Sequence, residues 1–260
     1  MQARVLPAWR GWAWVSEGFG LFRVAPLAWL ALVFAYWMAM AMIGYIPYVG
    51  VVVASILVPA FSVGFMAASR AAERRLPLRL SNLGAGFRHY AGTQLALGGV
   101  YFAAIAGLLA ATVLADDGAL ARLMTTGEWP AAEVLGSDDF LRALAVSAAL
   151  YAPVMMAFWF APVLVAWHGL SAAKALFFSF FASLVNWRAF LVYGVAATLV
   201  LFVLLSVLVL GAMLITGGKA RVALLFPFLL MLLPTLFASF YVSYRDIFGP
   251  RDEPPAEAPR

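Results

Sequence analysis

The chain has 260 residues, 65% of them hydrophobic and only 11% charged, with a mean hydropathy of +0.96. A soluble domain is ~45–50% apolar and ~25% charged, so a mainly aqueous surface is excluded and the class is a polytopic helical membrane protein. The absence of cysteine removes disulfides, thiolate nucleophiles and Cys-ligated metals, and the net charge of +5, which in a soluble chain would suggest nucleic acid, is better explained by membrane topology.

The first 24 residues carry Arg4, Arg10 and Arg23 and place Trp12, Val15, Phe19 and Phe22 at helical spacing, with Trp9 and Trp14 nearby. Tryptophan favours the membrane interface, so this predicts an amphipathic helix leading into a first span over about 25–43. Ala39-Met40-Ala41 fits a signal-cleavage pattern, but the aromatic lead-in and the long apolar continuation argue against a signal peptide. Tyr45 to Gly50 reads as a turn with interfacial Tyr45 and Tyr48, and a second span returns over 51–68. The basic run from Arg70 to Arg79 is followed by Leu80, Leu83, Phe87 and Tyr90, again at helical spacing, before a third span over 94–115. Between Asp116 and Arg142 lie six acids without the D-x-D-x-D-G spacing of a calcium loop, and a solvated loop is expected.

The fourth span, 143–167, carries no charged side chain, and Gly169-Leu170-Ser171 interrupts the pattern after it. Beyond Ser171 the residues Phe177, Phe180, Leu184 and Trp187 recur on one side, with Ala175, Ser179, Ser183 and Asn186 on the other. That pattern predicts a helix lying in the headgroup zone. A fifth span covers 189–216, Gly217-Gly218-Lys219 makes a turn, and a sixth span covers 222–244. Residues 1–249 are expected to form a single transmembrane domain, with a proline-rich, disordered cytoplasmic tail over 250–260. Threading six spans puts 13 of the 17 Lys and Arg residues on the side of both termini, which makes that side cytoplasmic.

Each even span ends in a similar run, beginning at Pro59, Pro162 and Pro234, and each odd span is preceded by an aromatic residue beside an arginine: Phe22-Arg23, Arg88 near Tyr90, and Trp187-Arg188. The expected fold is therefore all-α, with six transmembrane helices, interfacial amphipathic helices and three parallel helical-hairpin repeats. A proline within a span frees backbone groups that a hydroxyl or a neighbouring helix must satisfy, giving either a packing kink or a half-helix binding site.

Catalytic motifs are missing from the residue order. His89 and His168 are distant from one another and stand at predicted boundaries, and no catalytic, metal or cofactor set is expected. The spans contain hydroxyls rather than carboxylates, which leaves a carrier of a neutral solute open but not a proton relay. Arg23, Arg70, Arg74, Arg75, Arg88 and Arg188 are the candidates for binding lipid headgroups. Pro59, Pro162, Pro234, His168, Asn186, Trp187, Arg245 and Asp246 are the boundary and kink candidates. The adjacent Arg245 and Asp246 are expected to form a local pair or to cap the cytoplasmic rim, and an exposed pair contributes only ~0–1 kcal/mol.

The stretches Gly11 to Phe22, Phe158 to Phe181, Asn186 to Phe190 and Ser243 to Gly249 resemble an uncharacterised family of bacterial six-helix inner-membrane proteins. The motifs carrying the likeness are G-W-A-W-V-S-E-G-F, N-W-R-A-F and S-Y-R-D-I-F-G. More distantly, the hairpins are similar to the membrane domain attached to some glycerophosphodiester phosphodiesterases, but the hydrolase domain is missing. The resemblance implies an inner-membrane location and no substrate, cofactor or catalytic residue. The expected function is a non-enzymatic, integral inner-membrane protein that accompanies or organises a membrane assembly and binds anionic lipid. Its partners would be membrane lipids and other membrane proteins, not nucleic acid. A transporter or channel for a small neutral solute is the alternative, and a lipid-modifying enzyme comes third.

Overall fold

A computed structural model describes residues 3–47, 49–216 and 221–249, and every regular element among them is helical. In chain order these are α1 (Arg10–Val24), α2 (Pro26–Gly44), α3 (Gly50–Glu73), a 3-10 turn (Leu80–Gly84), α4 (Ala85–Arg88) and α5 (Ala91–Asp116). There follow α6 (Ala119–Thr126), α7 (Ala132–Leu135), α8 (Asp138–Phe158), α9 (Ala161–His168), α10 (Ala172–Val185), α11 (Trp187–Thr216) and α12 (Arg221–Phe248). Tyr48, the Gly217–Lys219 turn and the 250–260 tail lie outside the described residues.

Among the described residues five helices are long and apolar enough to cross a membrane: Pro26–Gly44, Gly50–Glu73, Ala91–Asp116, Asp138–His168 and Trp187–Val207. The count is five rather than the expected six. The sixth expected span falls in α12, whose first half carries no described side chains and whose last turns bear Arg245 and Asp246. Most apolar side chains of the five face outward, and only 11% of the α11 window is buried. Large exposed residues such as Leu27, Phe34, Met42, Phe202 and Val207 require a hydrocarbon surrounding, because water would penalise so much apolar surface.

The chain packs as two compact units, one formed by Met1–Val33, Phe65–Arg79 and Val185–Arg260, the other by Phe34–Gly64 and Leu80–Leu184. In the first, α1 lies against α11 and α12 and buries Trp14, Val15 and Phe22. Trp14 meets Phe190 edge-on at 5.2 Å, and Phe65 stacks on Phe237 at 3.9 Å. Gly18 permits the approach: a Cβ there would fall 2.7 Å from the Thr235 carbonyl oxygen and 2.8 Å from the Ser239 nitrogen.

In the second unit the 3-10 turn and α4 take the same kind of place. Gly86 is pressed so closely onto α3 that a Cβ would fall 2.2 Å from the Ala60 carbonyl oxygen. The three short elements each pack on a proline-bearing helix, α1 on α12 at Thr235 and Ser239, α4 on α3 at Ala60, and α10 on the α8–α9 break at Phe160, but with five spans among the described residues the third copy of the expected hairpin repeat is not complete. The middle copy departs from expectation because its short element is a 3-10 turn plus four helical residues, stopped by His89 in extended and Tyr90 in left-handed conformation.

One local expectation is corrected. The acidic stretch is not simply a solvated loop: α6 and α7 fold within it, and Ala119 and Leu120 bury against Phe140 and Ala143. Asp116 is consumed in this turn, accepting hydrogen bonds from the Gly118 and Leu120 nitrogens at 3.0 and 2.7 Å. The structure also settles which face of α10 turns inward, which the spacing had left open. Its small and hydroxyl face, Ala175, Ser179, Ala182 and Ser183, is the buried one, while Phe177, Phe181 and Leu184 are exposed. In lipid the logic of a soluble amphipathic helix reverses, since aromatic side chains face hydrocarbon at no cost and small residues let helices approach closely.

Candidate functional site

Pro162 shows what the polar face of α10 does. The span breaks between α8 and α9 at Trp159 and Phe160. There the Ser179 hydroxyl inserts into the backbone ladder, accepting from the Phe160 nitrogen at 2.9 Å and donating to the Met156 carbonyl at 2.8 Å. Ser183 donates to the same carbonyl at 3.3 Å, and the buried Gln94 amide donates to the Pro162 carbonyl at 2.7 Å. The break is a repaired kink, closed by a neighbouring helix as a proline in hydrocarbon requires. Pro59 lies buried inside α3, where Ser62 donates to its carbonyl at 2.7 Å, and Pro234 is buried in α12. His168 is exposed at the end of α9, before the left-handed Gly169.

The densest polar arrangement lies in the first unit, where α1, the end of α3 and the end of α12 meet. Asp246 accepts from Arg10 Nε at 2.7 Å, from Arg10 Nη2, and from Trp14 Nε1 at 2.9 Å. Arg10 also pairs through Nη1 with Glu17 at 3.0 Å, so that its guanidinium bridges two acids. Arg245 reaches Glu17 and Glu73, each at 2.5 Å, and Tyr241 donates to the second Glu73 oxygen. Burial alone would lower the Arg245 pKa, but the hydrogen bonds to Glu73 and Glu17 outweigh it and hold the group above the usual arginine range. Of the two expectations for Arg245 and Asp246, the local pair is the minor contact, at 3.5 Å, and each has its main partners on other helices, Asp246 on α1 and Arg245 on α1 and α3. Consecutive residues on a helix point about 100° apart, so a shared partner on each side is the easier geometry.

Asn186 joins the same unit from the α10–α11 junction. Its side chain accepts from the Leu6 nitrogen at 2.8 Å and donates to the Arg4 carbonyl at 2.9 Å, holding the segment before α1 by its backbone. Arg4 in turn donates to the Arg245 and Gly249 carbonyls, at 3.1 and 3.0 Å, capping the end of α12. The residues before α1 are thus strapped to both α11 and α12.

Of the headgroup candidates, Arg23 and Arg188 are exposed at helix ends, with guanidinium groups 5.8 Å from the Phe19 ring centre and 5.4 Å from that of Trp187. Arg70 is exposed in the last turn of α3, and Arg74 and Arg75 are exposed just beyond it, Arg75 in left-handed conformation. Arg88 belongs to the other unit, exposed at the end of α4 and donating to the Ser81 carbonyl at 2.9 Å. Sequence reasoning missed Glu17, Glu73, Arg10 and Trp14 as members of a common cluster. The available signal was their position: Trp14 and Glu17 lie in the first of the three resemblance motifs, and Asn186, Arg245 and Asp246 in the other two.

The chain is 39% identical over 261 aligned positions to a protein of Burkholderia thailandensis named a probable inner membrane protein, covering 96% of this chain and 94% of that one. No protein-family model matches the chain. No solved structure matches it.

Proposed function

The chain belongs to the family of that inner-membrane protein, and on this premise we propose that it is a non-enzymatic inner-membrane component that accompanies or organises other membrane proteins and binds anionic lipid at its basic boundary. The observation that carries the proposal is the division of labour among arginines. Arg10 and Arg245 are spent on carboxylates inside the protein, whereas Arg23 and Arg188 lie over aromatic rings at helix ends with no acidic partner among the described residues. An arginine over an exposed ring next to an apolar span buries its stem and presents its fork where phosphates lie. Each such residue near an anionic leaflet contributes on the order of 1 kcal/mol, so retention of a lipid needs several together.

Replacing Arg23, Arg88 and Arg188 together by lysine keeps the charge that sets topology and removes the bidentate fork. Insertion is expected to be unchanged and retained phosphatidylglycerol or cardiolipin to fall by roughly tenfold in native mass spectrometry. Retention equal to wild type would reduce these arginines to topology signals.

The proposed orientation places both termini in the cytoplasm. Ala131 and Ala173 are both exposed, and the chain has no native cysteine to interfere. In sealed cells a cysteine at Ala131 should react with an impermeant thiol reagent and one at Ala173 should react only after lysis. The reverse pattern would invert the topology.

A further inference from the structure

On its outward face α11 carries a groove of about 410 Å³, lined by Phe190, Leu191, Gly194, Val195, Thr198 and Leu199. Gly194 creates it: a Cβ at that position would meet nothing within 4 Å, while Leu191, Val195 and Leu199 project on either side. From Phe190 to Leu199 a helix rises ~14 Å. This is about half of a ~30 Å hydrocarbon core, the depth of one leaflet. Two residues before the groove begins stands Arg188, exposed, over the Trp187 ring and without an acidic partner among the described residues.

We propose that this is a specific phospholipid site, with the phosphate of an anionic glycerophospholipid on Arg188 and one acyl chain in the Gly194 groove. The charge lies at the end where a headgroup must be, and the apolar channel runs from there for one leaflet and no further. A transmembrane helix of a second copy could use the small-residue step of Gly194 and Thr198, but it would leave Arg188 without an anion, so lipid is the occupant that uses both features. Lipid differs from the other occupants in needing both the cation and the groove, in that order along the helix. The proposal rests on the reading that basic helix ends hold anionic lipid, and adds where a chain of that lipid lies.

The test uses the full chain in mild detergent, supplied with palmitoyl-oleoyl phosphatidylglycerol or the matching phosphatidylcholine and read by native mass spectrometry. Wild type is expected to keep one phosphatidylglycerol molecule under activation that strips the others. Gly194→Leu fills open space, so the fold should persist while retention of that molecule falls by roughly tenfold. Thr198→Leu, on the same channel wall, gives a second occlusion should the first variant not accumulate. Arg188→Gln should lose phosphatidylglycerol to a similar extent and leave phosphatidylcholine retention unchanged. Wild-type retention in both folded leucine variants would overturn the groove while leaving the headgroup reading intact, to be judged by the triple lysine variant. A wild-type protein that keeps no phosphatidylglycerol would overturn both. If instead Gly194→Leu converts a dimer to a monomer with no change in lipid, the groove is a contact between copies and the lipid site is excluded.

Discussion

Asp246→Ala is expected to lower the stability of the detergent-solubilised protein by about 3 kcal/mol, the lower end of what breaking a buried ion pair costs. The Asp246 side chain is 12% exposed and that of Arg10 is 19% exposed, so water can only partly replace what the substitution removes. Arg10 would keep Glu17, but Trp14 Nε1, on a ring that is wholly buried, would lose its acceptor. Asp246→Asn should cost less, since the amide oxygen can still accept from Trp14. A double-mutant cycle locates the coupling. Asp246 with Arg10 should show about 2 kcal/mol of interaction, while Asp246 with the adjacent Arg245, 3.5 Å away and committed to Glu17 and Glu73, should show less than about 0.5 kcal/mol. Equal coupling to both arginines, or a mild Asp246→Ala, would return the pair to the status of surface charges.

The second large effect comes from a single methyl group. Gly18→Ala should destabilise by about 1–3 kcal/mol, because the new Cβ would press on the backbone of α12 at Thr235 and Ser239, and backbone cannot rotate away as a side chain tip can. Gly20→Ala, two residues on in the same helix, has nothing within 4 Å and should instead stabilise by about 0.5–1 kcal/mol through helix propensity. Opposite signs at the two positions, read from thermal unfolding in one detergent, would show that α1 is docked through Gly18. A neutral Gly18→Ala would mean that α1 rides more loosely on α12.

The cluster also explains why so many polar groups survive in so apolar a chain. Arg10, Glu17, Glu73, Arg245 and Asp246 come from three helices, and the contact between Arg10 and Asp246 joins residues 236 positions apart. A matched set of this kind contributes little net stability over apolar packing, but each member is costly to strand once the others are in place. The set ties α1, the end of α3 and the last turns of α12 to one arrangement, the one in which Arg10 and Arg245 each meet their carboxylates.

How much of this was legible beforehand depends on the range of the signal. Hydropathy and length are local properties, and the starts and ends of α2, α5 and α11 fall within a few residues of the spans read from composition, because any uncharged apolar stretch of that length must lie in hydrocarbon whatever its neighbours do. The proline at 162 was equally local, and its need for a repairing hydroxyl followed from backbone chemistry. Which hydroxyl answered, Ser179, did not. Nor did the facing of α10, since periodicity distinguishes two sides of a helix but not which is turned inward, and in lipid the apolar side is free to face out. Composition and hydropathy alone were enough for the class and for five of the six expected spans, because both are set by the solvent that each short stretch requires. That Arg10 answers Asp246 while Arg245 answers Glu17 and Glu73 came from the packing, because partners in a charge cluster are chosen by which helices meet, and no local property of Asp246 distinguishes Arg10 from its own neighbour Arg245.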